Sequence, residues 1–206
     1  DLTRNAMKIE RRIKDRRENS ENLSQLEEVA NPPAQNARVC DPSCEEVCPT
    51  CGATACACAC SSECRHIPGV LTDDPNFPIE AHIAPLAFEL KRLGIFRPCW
   101  SCEGHNDTQD TLWKIPRVWF YCDSVVHLRL LSDVLKDLEI EEKLHVPWQV
   151  AVTFSDAENP DTTFSLKPAR TGPGTKLEDL QADTRVITEN VYDRVTAKAG
   201  QLISGG

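Results

Sequence analysis

The chain has 206 residues, a formal net charge of −9 and a sequence pI near 5.1. Sequence-independent nucleic-acid affinity comes from clustered Lys and Arg, so this acidic balance argues against a general phosphate-binding role for the bulk of the protein. No apolar run reaches the roughly 18–20 residues that span a bilayer, and the first residues lack the apolar core of a signal peptide, so a cytoplasmic protein without a membrane role is expected.

Residues 3 to 29 are rich in charge and in good helix formers, with Ala6, Ile9 and Ile13 at helical spacing. Ser24-Gln-Leu-Glu27 has the pattern of a capping box and predicts a second helical start there. Arg4, Lys8, Arg11, Arg12, Lys14, Arg16 and Arg17 make the first half locally basic. That face fits a protein partner; contact with nucleic acid is the less favoured reading. Asn31-Pro-Pro-Ala-Gln-Asn36 reads as a linker, so residues 1–36 form a charged helix and linker.

Residues 37–70 form a Cys-rich module. Eight of the chain's eleven cysteines, Cys40, Cys44, Cys48, Cys51, Cys56, Cys58, Cys60 and Cys64, fall within it, and His66 follows. In a reducing compartment such spacing favours metal over disulfides, and the odd total leaves one thiol over in any fully paired framework. Thiolate-rich sites select zinc, Cu(I) or iron–sulfur clusters. Eight thiolates satisfy two tetrahedral zincs, and nine ligands with three shared thiolates satisfy three, a sharing that the alternating Cys56-Ala-Cys58-Ala-Cys60 run suits. The arrangement resembles in character the tri-zinc cysteine clusters of pre-SET domains. Cys44-x3-Cys48-x2-Cys51 has the spacing of the radical-SAM cluster motif, and an iron–sulfur cluster is the alternative to zinc. The module has few large apolar residues, so its metal is expected to be its core.

From residue 71 onward the pattern becomes that of a folded α+β core. Ile79, Ile83, Leu86, Leu90 and Leu93 recur at alternating steps of four and three, which predicts a helix from about Ala84 with Pro85 in its first turn and Gly94 as its stop. A strand through residues 94–102, a loop, and a strand Arg117–Cys122 follow. A helix is predicted from Ser124 to about Leu138, with Leu128, Leu131, Val134, Leu135 and Leu138 inward. Residues 148–154 and 162–166 alternate as a hairpin, and Thr175-Lys-Leu-Glu178 reads as the cap of a terminal helix to about Lys198. The order αββαββα predicts an antiparallel or mixed sheet with helices on one face, a two-layer sandwich.

Within this core, Cys99-x2-Cys102-x2-His105 ends a strand at a turn that Gly104 allows to be sharp. Cys102, Glu103 and His105 are the candidate catalytic residues, with Glu103 as an acid or base, and Glu80 or His82 is expected to approach from the start of the preceding helix. Read as a second metal site, Cys99, Cys102 and His105 want a fourth ligand, for which His82, Cys122 and His127 are candidates. The stretch Ser101-Cys-Glu-Gly-His105 resembles an S-C-E-G-H signature of uncharacterised bacterial and phage proteins, and more distantly the S-C-S-G stretch of the wybutosine-synthesising protein 3 family. That resemblance implies a functional site at residues 101 to 105, and in the second family tRNA-base methylation.

Two function classes follow. The first is a metal-binding protein, with two or three zincs, whose cysteine cluster orders a binding or scaffold module on the core. The second is an enzyme with its site at Cys99 to His105, the cluster being zinc or iron–sulfur. P-loop, Rossmann, G-x-S-x-G and H-E-x-x-H patterns are absent from the sequence.

Overall fold

The computed structural model describes residues 16–31, 79–80, 82–153 and 161–204. The expected cluster ligands Cys40, Cys44, Cys48, Cys51, Cys56, Cys58, Cys60, Cys64 and His66 lie outside the described residues, as do Ala6, Ile9 and Ile13. The described elements are α1 (Arg16–Ala30), α2 (Ala84–Arg92), β1 (Arg97–Cys102), β2 (His105–Asn106), β3 (Leu112–Lys114), β4 (Arg117–Tyr121), α3 (Val125–Ile140), β5 (Trp148–Thr153), β6 (Thr163–Pro168) and α4 (Leu177–Ser204). The protein is α+β. Its main sheet is antiparallel throughout, in the order β1-β4-β6-β5, and β2 and β3 form a separate small ribbon.

The core follows from two periodicities. Strand β4 buries alternate residues, Val118 and Phe120, and Leu166 of β6 pairs with Val118 on the same face. Helix α3 buries Leu130, Leu131, Val134, Leu135 and Leu138, and α4 buries Leu180, Ile187, Val191, Val195 and Ala199 at steps of seven and four. All but Leu180 join one continuous cluster with Leu86 and Leu90 of α2. Each such leucine or isoleucine contributes roughly 1.5–3 kcal/mol of burial. Phe96, just before β1, and Phe120 of β4 meet edge to face, with centroids 5.1 Å apart.

Several local expectations change. The helix predicted to restart at Ser24 runs unbroken through it, because Leu26 and Val29 bury into the common core and Gln25 accepts a hydrogen bond from Ser124 Oγ at 2.6 Å. Tertiary packing decides that helix, and it makes α1 part of the core's packing. The region between β1 and β4, expected as a loop, contains the β2–β3 ribbon, whose turn is held by Asp107 Oδ1 accepting from the N–H groups of Gln109 and Thr111, both at 2.9 Å. Two- and three-residue strands are too short to show alternation. In α3, Leu130 is fully buried and Leu128 is only partly so. Ser124 caps that helix by accepting from Val126 N–H at 3.0 Å. Thr175 is not the predicted capping residue: its hydroxyl accepts from Gly172 N–H at 2.9 Å, bracing the turn before α4. Among the described residues no helix is long and apolar enough to cross a membrane.

Candidate metal centre

Helix α2 ends at Arg92, and Gly94, with a φ of 77°, turns the chain towards β1. Because α2 and β1 are joined this way, the start of α2 and the far end of β1 come to the same side of the core. Glu80 stands just ahead of α2, and its carbonyl accepts from Ala84 N–H at 3.0 Å. Cys102 is the last residue of β1, and His105 opens β2.

Between them, Glu103 and Gly104 make a tight corner. Gly104 has φ +86°, and a Cβ there would stand 2.6 Å from Leu177 Cδ1 and 2.8 Å from Pro116 Cδ. Only glycine satisfies both the dihedral and the space. The corner is cross-tied by two carboxylates. Glu103 N–H donates to Glu80 Oε2 at 2.7 Å, and His82 N–H donates to Glu103 Oε2 at 2.9 Å. Gln181 of α4 adds a bond from Nε2 to the Glu103 carbonyl at 3.3 Å. The backbone on both sides of the site is therefore fixed by groups from three parts of the chain.

Glu80, Cys102 and His105 each turn a potential ligand atom to one point, with all of those atoms within 4.8 Å of one another. His105 Nε2 lies 2.9 Å from Glu80 Oε1. Cys102 is 4% exposed, while His105 and Glu80 are each about a third exposed, so the group opens to solvent on the imidazole and carboxylate side. Burial pushes the Cys102 thiol up, and the Glu80 charge adds to this, against a backbone hydrogen bond with Gly104 and the positive charges of Arg117 and Lys114. The thiol is thus held neutral in the absence of a cation. Sulfur, nitrogen and oxygen in this combination suit zinc, whose bonds of about 2.0–2.3 Å place tetrahedral ligands about 3.3–3.7 Å apart. The His105 Nε2–Glu80 Oε1 pair, at 2.9 Å, needs to open by only a few tenths of an ångström to meet that spacing, and Cys102 Sγ lies within 4.8 Å of both atoms.

Of the residues singled out from sequence, the structure brings together Cys102 and His105, with Glu80 as the partner from the helix start. Glu103 contributes its backbone N–H and its carboxylate to the corner rather than to the converging group. His82 is exposed and enters through its main-chain N–H. Cys99 is exposed, three positions back along β1. Cys122 and His127 belong to the other end of the strand pair: Arg97 pairs with Tyr121 there, whereas Cys102 pairs with Arg117, about 17 Å away. Cys122 Sγ donates to the Ser124 carbonyl at 3.3 Å, and His127 Nε2 donates to the Gln25 carbonyl at 3.2 Å. Cys99, Cys102 and Cys122 are all free thiols. Trp100 and Trp113 are 47% and 66% exposed.

Comparison with protein-family models, curated proteins and solved structures finds no match for the chain.

Proposed function

We propose that this is a zinc-binding protein with a mononuclear centre at Glu80, Cys102 and His105 in its folded core, and with the Cys-rich stretch 40–66 as a separate two- or three-zinc module that serves binding or scaffolding. The single observation that supports the core centre is the convergence of three chemically different donor atoms within 4.8 Å, from residues that backbone hydrogen bonds fix on both sides. The support for the module is its nine-ligand count. We read the core as a two-layer sandwich, its helices covering one face of the sheet.

Three protein ligands leave one tetrahedral position open, the arrangement of catalytic rather than purely structural zinc. An enzymatic role at this site is the second reading, and the solvent-facing side of Glu80 and His105 favours it. In that reading Glu80, Cys102 as thiolate and His105 would hold the ion, which would supply Lewis-acid polarisation of a water or substrate oxygen.

The test is elemental analysis of full-length protein purified without oxygen, alongside Cys102→Ser, His105→Ala and Glu80→Gln. The expected result is colourless zinc protein that loses about one zinc per chain in each variant. Iron with acid-labile sulfide would favour the iron–sulfur alternative for the cysteine module, and a zinc content that none of the three changes alters would remove the core centre.

A further inference from the structure

Two strand registers meet at the site. Cys102 of β1 pairs with Arg117 of β4, and His105 of β2 pairs with Lys114 of β3. Residues directly opposite in an antiparallel pair point to the same face, with Cβ atoms about 4.5–5.5 Å apart. Each strand-borne ligand therefore has a cation as its cross-strand neighbour. Only Glu103 and Gly104 separate the two ligands, and the charges of Arg117 and Lys114 both act on Cys102.

Charge balance gives this pairing a direction. A zinc ion held by one thiolate, one carboxylate and one neutral imidazole is electrically neutral, and among the described residues nothing then compensates the two cations across the strands from it. Among the described residues no carboxylate pairs with Arg117 or Lys114. Arg117 Nε is buried and has no hydrogen-bond partner, and Lys114 Nζ rests 4.3 Å over the Trp113 ring. The one further carboxylate at the corner, Glu103, is turned to the His82 N–H. Elsewhere on this acidic surface the cations are commonly matched: Arg97 with Asp123, Arg194 with Glu141, Lys198 with Asp137.

We propose that the open position of the Glu80–Cys102–His105 centre takes a small oxyanion, a phosphoryl or carboxylate group, whose oxygens bond to the metal and to Arg117 and Lys114. This rests on the zinc reading of those three ligands. Arginine suits the role because its planar fork matches both oxyanions in bidentate fashion, and lysine adds a mobile point charge at the exposed rim.

Calorimetric titration of zinc-loaded, full-length protein with inorganic phosphate, and separately with acetate, tests it. The parent is expected to bind one anion per chain. Arg117→Gln and Lys114→Gln should each weaken it by roughly tenfold or more at unchanged zinc content, the loss of one charge-assisted contact. Cys102→Ser should lose both one zinc and the anion. Tighter phosphate than acetate assigns the phosphoryl class, and the converse assigns the carboxylate class. A parent with full zinc content that binds neither anion overturns the proposal, as do Arg117→Gln and Lys114→Gln variants that bind like the parent. Failure of the underlying zinc reading shows differently, as equal zinc content in the parent and Cys102→Ser, and it takes this proposal with it.

Discussion

Asp183 and Trp148 are joined by a 3.0 Å hydrogen bond from the indole Nε1 to Oδ2, and the carboxylate that accepts it is completely buried in α4. The same carboxylate accepts from the main-chain N–H groups of His145 and Val146, at 2.8 and 3.2 Å, and from His145 Nδ1 at 2.8 Å. One acidic side chain therefore fastens α4 to the segment leading into β5. Asp183→Asn keeps the shape but sets an amide N–H2 against donors, so it should cost about 2–4 kcal/mol. Chemical denaturation of the parent and the variant measures this, and a loss below 1 kcal/mol would show that the clamp is dispensable.

His145 gives that clamp a pH dependence. Its hydrogen bond to Asp183, followed by the charges of Asp183 and Asp179, raises the imidazole above its ordinary value near 6.5. A group whose folded value is raised contributes stability fully below its unfolded value and loses it as pH rises through the folded value. The stability difference between the parent and His145→Gln should accordingly be largest below about pH 6.5 and shrink above it. His145 is half exposed, so the effect is modest. Melts across pH 5–9 decide the sign, and a difference that grows with pH would contradict the pairing.

Gly104→Ala should be severe. The left-handed dihedral and the 2.6 and 2.8 Å approaches to Leu177 and Pro116 together predict a loss of about 2–4 kcal/mol. Gly200→Ala is the control: it sits within α4 with nothing within 4 Å of a new Cβ, and should gain about 0.5–1 kcal/mol. Thermal melts should move in opposite directions for the two variants, and equal shifts would refute the account of the corner.

Chelation should leave the core folded. Its apolar cluster runs from Leu26 to Ala199 without needing a metal, so amides of α3 and β6 should keep their hydrogen-exchange protection after zinc is removed, while protection at residues 102–105 falls. Loss of α3 protection on chelation would show instead that metal is required for the whole fold.

The patterns long enough to repeat were legible in the sequence. The i, i+3, i+7 spacing of Ile83, Leu86 and Leu90 located α2, the leucines of 128–138 located α3, and the alternation of 148–154 against 162–166 located the β5–β6 pair. These signals suffice because one buried face imposes one period. The continuity of α1 through Ser24 was not legible, since local capping chemistry and distant packing compete there and the buried Leu26 and Val29 win. Nor was the β2–β3 ribbon, which a side-chain turn at Asp107 creates.

The site divides in the same way. Cys102 and His105 stood out by residue type and by their place at a strand end beside a glycine, a local signal the chain itself determined. Glu80 could be named only as one of two residues near a helix start, because its choice over His82 depends on the direction in which each side chain leaves the turn. The pairings of Cys102 with Arg117 and of His105 with Lys114 are matters of register, and a slip of one residue would reverse every face. Sequence determines which groups exist; only the fold brings a thiol, an imidazole and a carboxylate together and sets a cation across the strands from each of the first two.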